Sequence, residues 1–188
     1  MVRVIAGEFK SRRLMTLPGI DTRPTSDRLK ETLFDILQSR ISAGQFLDCF
    51  AGSGAIGIEA LSRGAAFVVL IESLPEATGV IRTNLRALGH EVSPRVELLR
   101  HRVDVALKIL GRRKKKFDIV FLDPPYAAEK EYLQVFMAVQ NYELLGPGAL
   151  VVAQHSKFIP LVGRQGSLAR IRAVRQGDSI LSLFEMRE

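Results

Sequence analysis

The sequence contains little cysteine and no long hydrophobic run, and each shortage excludes a class of protein. Its 188 residues include one cysteine, Cys49, so an internal disulfide is impossible and a reducing compartment is expected. No apolar stretch approaches the roughly 18 residues that a membrane-spanning helix requires, so we expect no membrane partner. Residues 1–8 carry charges where an export signal needs an apolar segment. These features predict a cytoplasmic protein.

Histidine is scarce as well, with three residues in the chain. His90, His101 and His155 lack the short spacing that is typical of metal ligands, so we expect no metal site. Internal repeats and low-complexity segments are absent, and the length fits one domain with a small appendage. We predict a basic N-terminal arm over residues 1–22, forming a β-hairpin, and one main domain over residues 23–188.

Basic residues, in contrast, are abundant and clustered. The net charge is +7 at pH 7, and the pI is about 9.9. Residues 1–30 hold seven Lys or Arg against three Asp or Glu. The second basic group is the run 112–116, and the third comprises Arg164, Arg170, Arg172 and Arg175. Each group alone fits a solvated face, but three of them in a small domain indicate a polyanionic partner such as nucleic acid.

A glycine-rich turn separates two apolar segments in the first half of the chain. The first segment, a predicted strand, ends at Asp48, and a helix is predicted to start near Ile56. Glycine lets the backbone between them approach a ligand closely. The second predicted strand, residues 67–71, is followed by Glu72, which lies about 20 residues past the first glycine and suits a ribose diol. This order predicts an adenosine-containing cofactor across the two strands.

Two cofactor classes fit the turn. The spacing Gly52-x-Gly54-x-x-Gly57 matches the dinucleotide fingerprint, so a nicotinamide-dependent oxidoreductase is a competing interpretation. Asp48, however, provides a negative charge at the end of the first strand, where it could bind an ammonium group. S-adenosylmethionine suits both ends of such a site, with its ribose at Glu72 and its methionine part at Asp48 and the turn.

The most distinctive stretch is the apolar run 117–122 followed by Asp123-Pro124-Pro125-Tyr126. The run is typical of a buried strand, and the prolines end it because they lack N–H donors and hold φ at about −65°. Ligands of open α/β sheets bind outside the carboxyl ends of the strands. We therefore predict a ligand site at this tetrapeptide.

The rest of the chain alternates helices and strands, which is typical of a doubly wound α/β fold with a mostly parallel sheet. One predicted helix ends at about residue 39, and others cover 75–88, 105–110 and 129–145. Gly146-Pro147-Gly148 is expected to end the last of them. The further predicted strands are 96–99, 117–122 and 149–153. Residues 168–188 alternate around Gly177-Asp178, which predicts an antiparallel hairpin at one sheet edge.

Asp123-Pro124-Pro125-Tyr126 resembles the (Asp/Asn)-Pro-Pro-aromatic motif of methyltransferases that act on amino groups of nucleobases or of glutamine. Further segments, spread over nearly the whole chain, resemble the RsmD-type family of small-subunit rRNA guanine-N2 methyltransferases. These segments are residues 3–7, 10–14, 23–28 with Glu31 and Phe34, 47–54, 59–65 and the turn at 177–178. Several family-specific segments in the same order are far more specific than the tetrapeptide alone.

The resemblance implies a class I, Rossmann-like methyltransferase domain with a seven-stranded, mostly parallel sheet. It implies S-adenosylmethionine as the cofactor, and a guanine of 16S rRNA in an assembling small ribosomal subunit as the substrate of a monomeric enzyme. The residues implied at the reacting base are Asp123, Pro124 and Tyr126. The residues implied at the cofactor are Thr25, Asp48, Phe50, Ala51, Gly52, Ser53, Gly54, Glu72, Arg102, Val103 and Asp123. The basic charge of the N-terminal segment, in turn, predicts RNA-binding residues at Arg3, Lys10, Arg12, Arg13 and Arg23.

The chain departs from the family pattern in two places. The segment 100–103, expected beside the adenine, lacks a small polar residue, and the fifth predicted strand of the main domain ends in Gln154-His155 where an acid is common. We assign no role to Gln154 or His155 from the sequence. Alternative functions are a DNA adenine or protein glutamine methyltransferase, a nicotinamide-dependent oxidoreductase, and an RNA-binding module without activity.

Overall fold

The computed structural model describes residues 2–17, 27–91, 93–125 and 129–187. Two short strands, β1 (Val2–Arg3) and β2 (Arg13–Leu14), come first in the chain. The helices are α1 (Asp27–Ile41), α2 (Ala55–Ser62), α3 (Pro75–Ala87), α4 (Val103–Arg112) and α5 (Glu129–Asn141). The remaining strands are β3 (Gln45–Asp48), β4 (Phe67–Ile71), β5 (Val96–Leu99), β6 (Phe117–Leu122), β7 (Leu145–Ser156), β8 (Arg164–Gln165), β9 (Leu168–Gln176) and β10 (Ser179–Met186).

The main sheet has the strand order β5-β4-β3-β6-β7-β10-β9-β8. Strands β3 to β7 run parallel, whereas β8, β9 and β10 pair antiparallel with their neighbours. This confirms the mostly parallel sheet and the C-terminal hairpin around Gly177-Asp178. The expected count of seven strands is wrong, because the sheet has eight. The extra strand, β8, is two residues long and pairs with β9 across a turn, and two residues are too few to form an alternating pattern in the sequence.

Helices cover both faces of the sheet and divide the core in two. Apolar side chains of α1, α2 and α3 pack on one face, and those of α4 and α5 pack on the other. The apolar runs of β4 and β6 are buried on both faces, as expected for central parallel strands. None of the helices in the described ranges is long and apolar enough to cross a membrane.

The largest difference from the predicted element bounds lies between α5 and β7, while α4 (Val103–Arg112) extends two residues beyond each end of its prediction. The helix expected over 129–145 ends at Asn141, and β7 begins at Leu145 rather than at residue 149. Leu145 pairs with Phe117, and the register then shifts before Leu150 pairs with Ile119. Gly146-Pro147-Gly148 therefore forms an irregularity inside β7 instead of following a helix, and Gly148 has a φ of +68° there.

The N-terminal hairpin is present and packs into the main core. β1 and β2 pair antiparallel, with Val2 opposite Leu14. The arm buries four apolar side chains in the cluster that also contains α1 and α2, namely Val2, Val4, Phe9 and Leu14. Gly7, at φ +85°, crosses α2 so closely that a Cβ on it would lie 1.9 Å from the carbonyl oxygen of Ser62. The boundary at residue 22 lies outside the described residues and stays a prediction.

A buried acid on α2 anchors the same hairpin through its backbone. Glu59 has no exposed surface, and its carboxylate accepts hydrogen bonds from the N–H groups of Ile5 at 2.7 Å and Ala6 at 3.0 Å. Arg63 and Lys30 balance the charge, with nitrogen–oxygen distances of 2.8 Å and 3.6 Å. We name these three charged side chains the Glu59 cluster.

The strand order creates one crevice at the carboxyl ends of the parallel strands. From β3 the chain proceeds outward to β4 and β5, and it then returns to the other side of β3 to form β6. The helices that follow β3 and β6 leave toward opposite faces, so the loops at these two strand ends separate. This topological switch point is where open α/β sheets bind their ligands. It lies between Asp48 and Asp123.

Candidate active site

Four polar side chains lie at the carboxyl-end edge of the sheet near the switch point. Asp48 ends β3, Glu72 follows β4, Asp123 follows β6, and Gln154 lies near the end of β7. Asp48 pairs with Phe121, two residues before Asp123. Because side chains alternate along a strand, the two aspartates share one face of the sheet. The three acids that the sequence singled out therefore lie along one edge.

Asp48 is a buried carboxyl group without a hydrogen-bond partner among the described residues. It is 1% exposed, and neither of its oxygens meets a donor there. The pKa of Asp48 is raised to about 7, chiefly by burial and to a lesser extent by the negative charges of Asp123 and Glu72. The backbone N–H groups of Phe50 and Gly57 oppose this rise without reaching hydrogen-bond geometry. A ligand with a cationic group would supply the missing donor.

The glycine turn is joined to Glu72 by a hydrogen bond. The N–H of Gly52 donates to Oε2 of Glu72 at 2.9 Å, while Oε1 accepts from the N–H groups of Ser73 at 2.7 Å and Leu74 at 2.9 Å. Gly52 has a φ of +55°, and a Cβ on it would meet nothing within 4 Å. The turn is therefore open at Gly52, directly beside a carboxylate whose position is set by three backbone donors.

The third glycine of the fingerprint has a packing role. A Cβ on Gly57 would lie 2.2 Å from Cδ2 of Leu70 and 3.1 Å from Cγ1 of Val68. Only glycine lets α2 lie this close to β4, so the spacing that suggested a dinucleotide is explained by helix–sheet packing. It does not by itself favour a nicotinamide cofactor.

Asp123 is held from one side by Gln154. The side-chain amide of Gln154 donates to Oδ2 of Asp123 at 2.9 Å, and Gln154 is 8% exposed. The hydroxyl of Tyr132 donates to the carbonyl oxygen of Gln154 at 2.7 Å, which fixes this part of β7 against α5. Burial raises the pKa of Asp123 to about 7. Within the described part of the chain, Oδ1 of Asp123 accepts no hydrogen bond, so it is available to a ligand.

These features fit S-adenosylmethionine at three points. The unpartnered Asp48 suits its ammonium group, Glu72 suits its ribose hydroxyls, and the open turn at Gly52 allows close approach of the chain. Asp123 lies on the same sheet face as Asp48, where it could accept hydrogen bonds from an amine. No three His, Cys, Asp or Glu side chains of the described ranges are arranged to hold a metal ion.

The other predicted cofactor residues are distributed as follows. Ala51 is buried, and its N–H donates to the carbonyl oxygen of Ile71 at 2.9 Å. Phe50 and Ser53 are half-buried beside it, and Gly54 has a φ of +80°. Arg102 and Val103 lie at the start of α4, after β5, and the Arg102 side chain is 81% exposed and paired with Asp104. Thr25 lies outside the described residues, as does Tyr126 of the proline motif.

The predicted RNA-binding side chains lie on the exposed side of the arm. Lys10, Arg12 and Arg13 are all exposed. Arg3 is exposed too and forms an ion pair with Asp27 at 3.1 Å. Arg23 belongs to the part of the chain that is not described.

The basic run 112–116 lies at the amino ends of the parallel strands, because it precedes β6, whereas Asp123 lies at their carboxyl ends. Arg113 pairs with Glu97 at 2.6 Å, and Lys116 pairs with Glu143 at 3.7 Å. Lys115 lies over the ring of Phe67, 4.7 Å from its centroid. This run is thus partly engaged within the protein and remote from the candidate site.

Sequence reasoning missed two polar residues that organise the site. Gln154 was noticed only as a departure from the family. Asn84, near the C-terminal end of α3, accepts from the N–H of Met15 at 2.8 Å and donates to the carbonyl oxygens of Met15 at 3.1 Å and Ser53 at 2.9 Å. It therefore joins the arm to the glycine turn. A buried position in a helical pattern was the available signal, since Asn84 occupies an otherwise apolar face.

Known proteins resemble this chain along its whole length. A family model described as Conserved hypothetical protein 95 matches residues 2–185. Ribosomal RNA small subunit methyltransferase D of Haemophilus influenzae is 37% identical over 86% of this chain and 82% of that protein. The Escherichia coli K12 protein of the same name is 39% identical over 66% of this chain and 60% of that protein. A solved structure of a hypothetical protein from Thermus thermophilus has a TM-score of 0.84 at 31% identity, covering 99% of this chain and 100% of that one.

Proposed function

The chain belongs to the family described as Conserved hypothetical protein 95, the RsmD-type methyltransferases, and we propose that it methylates guanine N2 in 16S rRNA. The methyl donor is S-adenosylmethionine. The relatives' names support methylation of the small-subunit rRNA, and the guanine N2 atom is our own more specific assignment. The observation that carries the proposal is the pair of carboxyl groups, the buried Asp48 and the half-buried Asp123, on one face at neighbouring strand ends.

The residues that hold the methyl donor match its polar groups in charge and in hydrogen-bonding capacity. Asp48 binds the ammonium group and thereby gains the partner that it lacks among the described residues. Glu72, already fixed by three backbone N–H groups, accepts from the ribose hydroxyls. When bound, S-adenosylmethionine supplies an electrophilic methyl group on a sulfonium. The protein's task is to bring one nitrogen into line with it, and such positioning lowers the barrier substantially.

The acceptor amine is oriented by the proline motif. The lone pair of guanine N2 is delocalised into the ring, so the nitrogen is a poor nucleophile. Oδ1 of Asp123 and the carbonyl oxygen of Pro124 accept hydrogen bonds from the amine and favour a more pyramidal nitrogen. Tyr126 stacks on the target base, a contact worth roughly 1–3 kcal/mol. After transfer, the nitrogen carries positive charge, which the ionised Asp123 stabilises or removes by taking a proton.

The RNA reaches this edge with help from the basic arm. Lys10, Arg12 and Arg13 are exposed on the hairpin, which the Glu59 cluster and Asn84 attach to the domain that carries the site. We propose that the substrate is an assembling small subunit in the cytoplasm, and that the enzyme acts as a monomer. Size measurement by light scattering tests the last point.

Methyl transfer from labelled S-adenosylmethionine is the direct test. The purified protein is offered isolated small subunits, naked 16S rRNA and duplex DNA, and the modified nucleoside is identified by mass spectrometry. We expect N2-methylguanosine in the small-subunit RNA and none in DNA. Calorimetry should detect binding of S-adenosylmethionine and not of NAD. Methyladenine in DNA, or binding of NAD alone, would refute the proposal.

A further inference from the structure

The end of β7 stands above the rest of the candidate site. The last residue of β6, Leu122, pairs with Ala153, and β7 continues for three more residues to Ser156. At about 3.3 Å per residue, the end of β7 lies roughly 10 Å beyond the end of β6. β10 pairs with it over the whole extension, up to Ser179 opposite Ser156. We name this projection, residues 154–158 with 177–180, the β7–β10 ridge.

The tip of the ridge has a defined conformation. The N–H of Lys157 donates to the carbonyl oxygen of Asp178 at 2.8 Å, and the two side chains form an ion pair at 2.7 Å. The N–H of Ile159 donates to the carbonyl oxygen of Ser156 at 3.0 Å, and the Ile159 side chain is buried. The turn is therefore anchored on both sides of Phe158.

Phe158 projects from this anchored tip into solvent. Its side chain is 77% exposed, the largest value among the exposed large hydrophobic residues of the described ranges. The ammonium group of Lys157 lies 4.8 Å from the ring centroid. A phenyl ring held in water on a fixed turn, beside a cation, is equipped to stack on a planar group.

The positive charge around the ridge favours an anionic partner. Residues 157–187 contain six Lys or Arg and two Asp or Glu. Arg172 and Arg175, on β9 next to the ridge, are exposed or partly exposed. Phosphates satisfy such a surface, and a nucleobase offers the π-face that Phe158 can stack on. RNA carries both groups in every nucleotide.

We propose that the β7–β10 ridge is a second RNA-binding surface, on which Phe158 stacks on an unpaired base near the target nucleotide. This inference rests on the proposed function. A base that presents its amine to Asp123 must leave its stack, and this exposes the faces of neighbouring bases. Phe158 covers one of those faces and so favours the RNA conformation in which the target base is turned out.

The test compares Phe158→Ala and Phe158→Trp with the control Met137→Ala. Met137 is 50% exposed on α5, so its truncation removes exposed apolar surface away from the ridge. The dissociation constant for an RNA fragment around the modified site, and KM for small subunits, should rise about 5- to 100-fold in Phe158→Ala. Phe158→Trp should bind nearly as well as the unchanged protein, and Met137→Ala should bind equally well.

Three further readouts separate stacking from other roles. The affinity for S-adenosylmethionine and the melting temperature should not change in Phe158→Ala, because the ring touches neither the cofactor residues nor the core. The dependence of log Kd on log salt should keep its slope, because no phosphate contact is lost. RNA affinity unchanged within twofold, or a loss confined to protein-containing particles, would overturn the inference. Because RNA binding is measured directly, the result stands apart from whether methyl transfer is observed.

Discussion

Two carboxyl groups, those of Asp48 and Asp123, determine the chemistry of the site at the scale of single residues. Asp48 is buried and Asp123 is half-buried, and burial raises the pKa of each to about 7. They differ in their partners, because Gln154 donates to Asp123 whereas no donor within the described ranges meets Asp48. In our proposal, Asp123 accepts a hydrogen bond from the substrate amine, and Asp48 accepts one from the cofactor.

Replacing Asp123 by alanine should abolish methyl transfer and leave the affinity for S-adenosylmethionine largely intact. The acceptor for the amine is lost, whereas Asp48 and Glu72 remain. Asp123→Asn should keep part of the rate, since an amide oxygen still accepts a hydrogen bond. In the unchanged enzyme, protonation of Asp123 should lower kcat/KM at low pH, and this decline should be absent in Asp123→Asn. Single-turnover rates and calorimetry measure the two quantities, and full activity of Asp123→Ala would remove the assignment.

Replacing Gln154 by leucine should lower kcat about 10-fold or more, because Asp123 then loses the donor that orients it. Loss of a donor to the ionised form also raises the pKa of Asp123, so the acid limb of the rate profile should move to higher pH. Tyr132→Phe is the matched control, since it removes the hydroxyl that holds the Gln154 carbonyl but keeps the amide donor. Equal pH profiles in both variants would contradict an orienting role for Gln154.

Replacing Asp48 by asparagine should stabilise the cofactor-free protein above pH 7 while it abolishes cofactor binding. The raised pKa means that the folded state holds a proton that the unfolded chain releases near pH 4. Stability is therefore present below about pH 4 and is lost progressively as the pH rises to about 7, by an amount on the order of 4 kcal/mol. Denaturation at about pH 4 and pH 8 measures the difference, and the gain should be small at pH 4 and largest at pH 8. A variant that is less stable at pH 8 would argue against an unpaired charge.

At the scale of elements, the sequence predicted most of the architecture because apolar runs and turn residues mark buried parallel strands clearly. The strands over 67–71, 96–99 and 117–122 begin and end where expected. The errors occur where pairing partners, rather than local pattern, decide the structure. β8 exists only because β9 offers a free strand edge, and Gly146-Pro147-Gly148 is included in β7 because β6 pairs with Leu145 before it and with Leu150 after it.

The residues of the candidate site likewise divide into those that the local sequence pattern predicts and those that depend on distant partners. Asp48, Glu72 and Asp123 could be predicted because each ends a strand, and strand ends meet at one edge in a parallel sheet. Gln154 and Asn84 could not be given roles, because their partners are 31 and 69 residues away in the chain. No local spacing encodes such contacts.

The attachment of the hairpin arm depends on one element, α2, through Glu59. Replacing Glu59 by glutamine should destabilise the protein by about 3–5 kcal/mol, because the buried Lys30 loses its counter-charge. Amide hydrogen exchange over residues 2–14 should accelerate more than exchange in β6. The control is Glu8→Gln, an acid of the arm whose side chain is 54% exposed, and it should change stability by less than about 1 kcal/mol. Equal effects of the two variants would show that the buried cluster is not the anchor.

At the scale of the whole molecule, the basic groups differ in how far they are engaged within the protein. The run 112–116 lies away from the site and is partly paired, whereas the arm presents exposed cations and is joined to the glycine turn of the site through Asn84. Net charge alone would count both groups equally as RNA-binding surface. Their engagement within the protein and their connection to the site distinguish them.

Reversing the charge of Lys10, Arg12 and Arg13 should weaken RNA binding and reduce the salt slope by about 2–3. The matched control reverses Lys108, Arg112 and Lys114, three exposed cations on and after α4 with the same total change of charge. That control should leave the slope nearly unchanged. Filter binding between about 50 and 200 mM salt measures both. Equal slopes for the two triple variants would mean that the arm binds RNA no more strongly than the surface formed by Lys108, Arg112 and Lys114.

The contacts of the hairpin also determine when, during synthesis of the chain, the hairpin can dock. Residues 2–15 are made first, yet Glu59, Ser62 and Asn84, which hold them, follow 53 to 69 residues later. At about 5–20 residues per second, Asn84 is added roughly 3–14 s after Met15. During that interval the basic hairpin lacks the partners that hold it in the folded protein. Docking of the arm therefore reports that the first half of the domain has folded, and only then do the arm and the glycine turn acquire their shared contact.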